Sequence, residues 1–493
     1  MHAADNLQII SAPWRTIILM NTFSTRERIC LAVGFCLLIA FGIYLERRTA
    51  LRRIPMTDLG VFAVASEAVW SGQNPYLITD WHGWHYQYPP TLAILFLPLA
   101  EPVPKGLPVL QPGEQYTESN TPWGYEISGH PGYGHGSYYY GVKDQNRRFV
   151  GIVAAWYLFS VFFVFFSAHA LACALEGSGL SSAPPDGNVE RGRWWKLRLL
   201  PLLVCVGSLG RDVSRGQVDV LMLAMVALGI YLTANKFDFK AGLCFAFPAT
   251  VKMCPPFLLI YPFWRRQWKL AAGVVVGLVF FLLILPGITL GPQRTIELYQ
   301  VWIQVLAKPA LGHGKDTSRL NELTGMTSTD NQSLLAAIHN WRYFSLPRTE
   351  RPQEAAPWER DVVYVIGTAM LAGIGFAGGF RRQDSRRELL IIAGLLIGLA
   401  FLVSPIVHNF YHLLMLPLIA ALLDQGLARE PGGATDWKLL LPVIVFVTID
   451  FMAAIPGIGP LLRDLGAPLL SLVYLMWAGA MVLIKAKHNK PAI

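Results

Sequence analysis

The chain has 493 residues, of which 53% are hydrophobic and only 15% are charged, and its mean hydropathy is +0.41. Soluble domains carry about 25% charged residues, so this composition excludes an ordinary soluble globular protein. The net charge of +9 does not indicate a nucleic-acid-binding protein, because the Lys and Arg residues lie in short clusters between apolar runs.

Apolar segments recur along the chain, and many are long enough to cross roughly 30 Å of hydrocarbon as a helix. One signal peptide does not produce such a pattern. We therefore predict an all-α polytopic membrane protein with about twelve transmembrane helices. The predicted spans are residues 29–45, 149–174, 197–211, 217–234, 241–255, 256–264, 269–290, 361–380, 388–405, 411–424, 438–456 and 467–485.

The basic clusters predict the orientation of these spans. They are Arg191 to Lys196, Lys236 with Lys240, Arg265 to Lys269, Arg381 to Arg387, and Lys485 to Lys490. Such clusters favour the cytoplasmic side. The apolar run 91–99 is too short to span, so we predict a membrane-edge helix there. Residues 46–148 and 291–360 then form two large external segments.

Two features of the first external segment fit this scheme less simply. One basic cluster falls on the outer side, where it could face an anionic ligand or lipid headgroups; it consists of Arg47, Arg48, Arg52 and Arg53. Residues 101–148 form an insert rich in Gly, Tyr, Pro and His. We interpret the insert as a lid or as a surface for a partner.

Asp58 is the first residue in chain order that could carry chemistry. Thr57 or Asp58 is the natural N-cap of an amphipathic helix that follows, from Leu59 to Trp70. A carboxylate at the membrane edge could also accept a proton from a substrate hydroxyl. On the residues alone, a cap paired with Arg52 or Arg53 is the simpler interpretation.

The segment after this helix contains aromatic and histidine residues. Tyr88 belongs to a Tyr-Gln-Tyr-Pro-Pro sequence that is typical of a rigid turn before a short helix. His82 and His85, with Asp80 nearby, have a spacing that could hold a metal ion. There is no Cys or carboxylate cluster to complete such a site, so we predict no metal.

Two polar residues interrupt the apolar spans in the middle of the chain. Gln217 follows Gly216, which permits close backbone approach, and its amide could bind a sugar hydroxyl or cap the next helix. Lys252 lies in an apolar stretch beside the Pro255-Pro256 pair. An ammonium group there is costly unless it meets an anion or reaches the membrane interface along its own flexible stem.

The last candidates are amides and histidines near two predicted span ends. Asn331 and Gln332 precede an apolar helix and, taken alone, form part of an N-cap signature. His408 and His412 are four residues apart, which predicts that they share one helical face. They could bind phosphate, transfer a proton or lie at the interface.

Taken in order, these features resemble the polyprenol-phosphate-mannose-dependent mannosyltransferases of the GT-C superfamily. Within it they resemble the phosphatidylinositol mannosyltransferase E-like enzymes of glycosyltransferase family 87. The matching pieces are Asp58 with Gly72 to Tyr76, Tyr88-Pro89-Pro90, Gly216-Gln217, Val251-Lys252 before Pro255, Asn331-Gln332-Ser333, and Ser404-Pro405 with His408 and His412. They extend from residue 25 to about residue 425.

The resemblance implies a GT-C fold with an Asp of the first external loop as catalytic base, and that Asp is Asp58. It also implies transfer of a hexose, expected to be mannose, from a polyprenyl-phosphate sugar to a lipid or glycan acceptor, with inversion. Lys252 and one of His408 or His412 would stabilise the phosphate. Tyr88, Gln217, Asn331 and Gln332 would contact the substrates.

The resemblance and the topology together imply the setting of the reaction. We expect residues 1–28 in the cytoplasm, a catalytic unit over 29–425, and a C-terminal pair of helices with a tail over 426–493. The active site is expected to face outward from a bacterial cytoplasmic membrane, with membrane lipids and no nucleic acid as partners. The first loop has no Asp-x-Asp or Glu-x-Asp pair, so we predict neither metal nor cofactor.

A transporter or flippase for a lipid-linked sugar is the alternative function. Broken helices and a buried lysine also suit binding near the middle of a membrane. Transporters usually contain internal repeats, however, and we find none in this sequence.

Overall fold

The computed structural model describes residues 24–51, 57–79, 84–100, 138–139, 146–252, 255–311, 313, 325–379, 384–427 and 434–488. The helices are α1 Thr25–Thr49, α2 Leu59–Trp70, α3 Pro90–Leu95, α4 Asn146–Glu176, α5 Asn188–Val204, α6 Val206–Arg215, α7 Asp219–Ala234, α8 Asp238–Lys252, α9 Tyr261–Trp264, α10 Trp268–Leu290, α11 Pro292–Trp302, α12 Leu334–Arg342, α13 Pro357–Gly378, α14 Arg386–Val403, α15 Leu416–Gly426, α16 Trp437–Met452, α17 Ile458–Asp464 and α18 Ala467–His488. Short helical turns cover Pro75–Leu77, Leu97–Leu99, Pro256–Ile260, Ile303–Ala307, Lys308–Ala310, Arg348–Glu350 and Asn409–Met415.

The protein is an all-α polytopic membrane protein. Among the described helices, five are long and apolar enough to cross a membrane: α1, α4, α10, α13 and α18. The count of about twelve spans stays a prediction. Two strands of two residues each, β1 Ile78–Thr79 and β2 Tyr138–Tyr139, pair in parallel and connect the predicted insert to the segment before it.

The core of the bundle is built around α14, which is buried continuously from Glu388 to Leu402. A helix that is apolar on all sides must be surrounded by other elements, and α13, α15 and α18 pack around it. The α8 and α10 helices cross closely, because Gly242 and Gly273 have no side chains to separate their backbones. This crossing fixes α8, whose last residue is Lys252.

Two predicted elements differ from the sequence interpretation. The predicted span 197–211 is divided at Cys205 into α5 and α6. The α2 helix, predicted to be amphipathic, is buried from Leu59 to Val69. It is enclosed because α3 and the turns at Pro75–Leu77 and Leu97–Leu99 pack against it.

The basic clusters lie together at one end of the bundle. Arg191 pairs with Glu27 at 2.6 Å, while Arg193 and Arg387 share Asp424 at 2.8 and 2.6 Å. From the opposite end, α7 runs back over 16 residues, or about 24 Å, towards these clusters. The polar residues described next lie where α7 begins.

Candidate active site

A cavity of about 690 Å³ lies where α2, α7 and α8 meet at the end of the bundle opposite the basic clusters. Of the residues predicted from the sequence, six line it: Asp58, Tyr88, Gln217, Lys252, Asn331 and His408. Gln332 and His412 do not belong to its lining. The cavity therefore collects predicted residues that are far apart in the chain, since Asp58 and His408 are separated by 350 positions.

Asp58 stands at the start of α2, but its carboxylate does not cap the helix. The hydroxyl of Thr57 accepts the N–H of Leu59 at 3.3 Å and donates to the carbonyl of Arg215 at 2.8 Å. The backbone N–H of Asp58 donates to the same carbonyl at 2.8 Å. The capping interpretation of the Asp58 side chain is therefore wrong, and its carboxylate faces the cavity.

Gly216 allows the end of α6 to approach the start of α2 closely. It ends α6 in the left-handed conformation, with φ of 67°. A Cβ atom at this position would lie 2.7 Å from Thr57 Oγ1 and 2.9 Å from Leu59 Cβ. Only glycine fits both the conformation and the space without displacing the start of α2.

Gln217 connects two charged groups in the cavity. Its amide nitrogen donates to Oδ2 of Asp58, and its amide oxygen accepts from Nζ of Lys252 at 3.0 Å. The amide orientation follows from its partners, because only the nitrogen can donate to a carboxylate and only the oxygen can accept from an ammonium. Gln217 thus holds the Asp58 carboxylate in one position.

Lys252 is neutralised within the protein. Its Nζ lies 2.9 Å from both carboxylate oxygens of Asp219, and the exposed fractions of the two side chains are 4% and 1%. The ammonium also lies 4.0 Å from the ring centroid of Tyr411. Of the two possibilities left open by the sequence, Lys252 therefore meets an anion and does not extend to the membrane interface.

Arg215 is a cation of the cavity that the sequence analysis did not select. Its side chain is 37% exposed, and its closest carboxylate contact is with Asp330 at 3.4 Å. Arg463 holds the other oxygen of Asp330 at 2.5 Å. A basic residue at the end of a helix usually offsets the helix dipole. The one signal for Arg215 in the sequence was therefore its proximity to Gln217.

Asn331 and Gln332 hold loops together. The amide of Asn331 donates to the carbonyl of Pro405 at 3.0 Å and accepts the N–H of Val407 at 3.1 Å. The amide of Gln332 donates to the carbonyls of Thr329 and Arg463 at 2.8 and 3.0 Å. Asn331 also lines the cavity, whereas Gln332 does not.

The two predicted histidines lie in different surroundings. His408 lines the cavity and stacks on Phe410, with ring centroids 5.1 Å apart. Burial, followed by the positive charges of Arg215 and Lys252, lowers the pKa of His408 to about 4, so the ring is neutral at physiological pH.

His412 is 1% exposed and packs against Phe446, away from the cavity. The four-residue spacing predicted a shared helical face, but Asn409–Met415 is a 3₁₀ helix. In a 3₁₀ helix the side chains of residues three apart lie on the same face, so the side chains of residues four apart point in different directions. This difference separates the two rings.

The rest of the cavity wall is largely aromatic and apolar. Its members include Trp84, Phe257, Trp302, Leu306, Leu311, Val403 and Tyr411. His85 also lines it and is buried. The cavity lining therefore combines charged groups, among them Asp58 and Arg215, with many apolar side chains, as expected of a site for an amphipathic ligand.

Part of the predicted chemistry lies outside the described residues. This applies to Arg52, Arg53, Asp80 and His82, and to nearly all of the insert 101–148. Within the part of the chain that the structure describes, no three His, Cys, Asp or Glu side chains are grouped as metal ligands. The absence of a metal and of a cofactor stays a prediction.

Comparison with known protein families identifies the class of this protein. The profile of glycosyltransferase family 87 matches residues 148–405, just over half of the chain. The chain belongs to glycosyltransferase family 87. It is therefore a glycosyltransferase, and its helical membrane architecture fits the GT-C superfamily. No curated protein matches the chain.

The family match covers residues 148–405, a shorter range than the one over which the sequence motifs occur, from residue 25 to about residue 425. It includes Arg215, Gln217 and Lys252, but Asp58 and His408 lie outside it. The fold of this family 87 glycosyltransferase nevertheless brings both outer residues into the same cavity as the matched ones.

Proposed function

We propose that this glycosyltransferase moves a hexose, mannose, from a polyprenyl-phosphate donor to a hydroxyl of a lipid or glycan acceptor. Transfer takes place at the non-cytoplasmic face of a bacterial cytoplasmic membrane, inverts the anomeric centre and uses no metal. The observation that carries the proposal is the Asp58 carboxylate, which does not cap its helix and is held in the cavity by Gln217.

The position of the cavity supports an outward-facing site. The basic clusters favour the cytoplasmic side, and the cavity lies at the other end of α7. Nucleotide sugars are made in the cytoplasm, so an outward-facing enzyme needs a donor that the membrane presents. A sugar on a polyprenyl phosphate meets that need, and the apolar wall formed by Phe257, Trp302 and Leu306 suits its lipid chain.

Asp58 acts as the general base. As the acceptor oxygen attacks the anomeric carbon from the side opposite the phosphate, Asp58 takes the hydroxyl proton. The bond between the anomeric carbon and the phosphate oxygen breaks, and its electron pair leaves with the phosphate through an oxocarbenium-like transition state. Gln217 orients the carboxylate, and Lys252 orients Gln217.

Arg215 is better placed than Lys252 or the histidines to stabilise the leaving phosphate. The charge of Lys252 is compensated by Asp219, and His408 is neutral at physiological pH. Arg215 is partly exposed in the cavity and only loosely held by Asp330. A guanidinium group can also contact two phosphate oxygens at once.

The test is sugar transfer from radiolabelled polyprenyl-phosphate mannose by purified protein in the presence of EDTA. We expect wild type to transfer mannose and Asp58→Asn to lose roughly 10²- to 10⁴-fold, the usual contribution of a general base. Asp436→Asn is the matched control, because that carboxylate caps α16 and does not line the cavity. If a folded Asp58→Asn protein transferred mannose at the wild-type rate, Asp58 would not be the general base.

A further inference from the structure

A second, smaller cavity lies at the end of the bundle that carries the basic clusters. Its volume is about 210 Å³, and its walls come from the turn after α7, the turn between α9 and α10, and the start of α14. Three cationic side chains line it: Lys236, Arg266 and Arg386. The active site, at the far end of α7, shares none of these residues.

Lys236 and Arg266 have an unusual backbone conformation. Their φ angles are 68° and 52°, and among the described residues they are the two non-glycine positions with positive φ. Each follows the end of a helix, and the next N–H closes the turn by donating to the carbonyl of Leu232 at 2.8 Å or of Pro262 at 2.9 Å. Glycine is the usual residue at this position, because a side chain there is strained.

A general preference for cations at helix ends does not explain this choice. A Lys or Arg in the last helical turn would offset the helix dipole equally well and without strain. Here two separate helices each carry a cation at the strained position, and both cations line the same cavity. The arrangement indicates that the positive charges of Lys236 and Arg266 have a role in this cavity.

The charge of this cavity is only partly compensated. Asp384, one of the two acids in the lining, is paired through Oδ2 with buried Arg265 at 2.8 Å, and the same oxygen accepts a hydrogen bond from the hydroxyl of Tyr261 at 3.0 Å. Arg386 donates to the carbonyl of Ala174 at 3.0 Å. No carboxylate of the described chain forms an ion pair with the three lining cations, which face one remaining acid, Asp238.

The cavity lies beside the first residue of a candidate membrane span. The α10 helix, one of the candidate spans, begins at Trp268, two residues after Arg266. Phe237, Phe263 and Trp268 surround this end and are 53%, 47% and 66% exposed. An exposed Trp at the end of a span, such as Trp268, is typical of the lipid headgroup region, so the cavity is expected at that level.

We propose that this cavity binds the phosphate group of an anionic phospholipid headgroup. The cations supply charge and hydrogen-bond donors for the phosphate oxygens, and the position beside α10 lets the acyl chains remain in the bilayer. Basic pockets between membrane helices are suited to such headgroups. The proposal does not depend on the sugar or acceptor proposed for the active site.

The experiment uses the full chain in lipid nanodiscs and measures the melting temperature as phosphatidylglycerol replaces phosphatidylcholine. We expect the wild type to melt a few degrees higher as the anionic lipid increases. The Lys236→Gly/Arg266→Gly double variant should lose this increase, yet melt at or above the wild-type temperature in phosphatidylcholine, because glycine relieves the backbone strain. Lys236→Asn, which also tolerates positive φ, provides a second variant.

Lys240→Gln is the matched control, because it removes a positive charge at the same end of the protein but outside the cavity. It should keep the response to phosphatidylglycerol. An equal response in the double variant, or an equal loss in Lys240→Gln, would overturn the proposal in favour of diffuse charge attraction. Stabilisation by inorganic phosphate without any effect of phosphatidylglycerol would overturn the lipid headgroup as the ligand.

Discussion

At the scale of single residues, Lys252 and Arg215, two cations that line the cavity containing Asp58, have different surroundings. Lys252 is buried against Asp219, whereas Arg215 is partly exposed and loosely paired. A buried ammonium group whose charge is already compensated can hold its neighbours in place. An exposed guanidinium group can still form an ion pair with a ligand. We therefore expect Lys252 to contribute mainly to the stability of the protein and Arg215 mainly to the binding of a charged ligand.

Lys252→Met should therefore act first on stability. It leaves the Asp219 carboxylate buried without its cation, and breaking a buried pair in this way costs about 3 to 5 kcal/mol. Thermal unfolding in detergent measures the effect. Lys252→Met/Asp219→Leu should recover much of the lost stability, because both charges are then absent. A single variant as stable as wild type would contradict the ion-pair interpretation.

At the scale of secondary structure elements, the junction between α6 and α2 positions the carboxylate of Asp58, the proposed general base. The carbonyl of Arg215 accepts hydrogen bonds from Thr57 and from the N–H of Asp58. Gly216 makes this approach possible, because a Cβ atom would meet Thr57 and Leu59. The start of α2 is thus located by the end of a helix far away in the chain.

Gly216→Ala should reduce transfer more than it reduces stability. The added methyl group pushes the start of α2 away, and a shift of about 1 Å at a catalytic group can cost roughly 100-fold in rate. Gly72→Ala is the control, because Gly72 also follows a helix end with a positive φ, of 80°, but the nearest atom to the added Cβ is the end of the Arg294 side chain, at 4.0 Å. Transfer rates compared at equal folded fraction decide the matter; equal losses in the two variants would reject the positioning role.

Hydropathy predicted some of these elements well. The spans 29–45 and 149–174 correspond to α1 and α4, and the short run at 91–99 begins within α3, since length and apolar content are sufficient signals there. The break at Cys205 was not predicted. It lies inside an apolar run, and composition does not record where backbone hydrogen bonding changes.

The candidate site was predictable only in part. The order of motifs along the chain selected Asp58, Gln217 and Lys252, and all three line the cavity. The pairing of Lys252 with Asp219 was not predicted, because it depends on which helix ends meet in space. The same limit applies to Arg215, whose importance rests on its exposure inside the cavity.

At the scale of the whole molecule, segments outside the family match support the cavity. The α17 helix, near the C-terminal end, provides Arg463 for Asp330 and Asp464 for Arg351, at 2.5 and 2.8 Å. Asp330 is also the carboxylate that Arg215 approaches. Through Asp330, the C-terminal helices thereby influence how tightly the side chain of Arg215 is held.

Arg463→Gln should raise the KM for the donor with little change in kcat. Asp330 would then pair more closely with Arg215 and compete with the phosphate. A pair of this exposure is worth about 1 kcal/mol, or roughly fivefold in affinity. Arg348→Gln is the control, because Arg348 also contacts α17 but pairs with Asp464. An unchanged KM in Arg463→Gln would show that Asp330 does not restrain Arg215.

The buried pair of Lys252 and Asp219 also bears on how the chain enters the membrane during synthesis. Asp219 is the first residue of α7, Lys252 is the last residue of α8, and only three residues separate the two helices. Each charge alone would oppose insertion, by less than the roughly 2.5 to 3.5 kcal/mol of a charge at a helix centre, because both residues lie at helix ends. Because α7 and α8 are consecutive and antiparallel, they can leave the translocon together as one hairpin whose charges already neutralise each other.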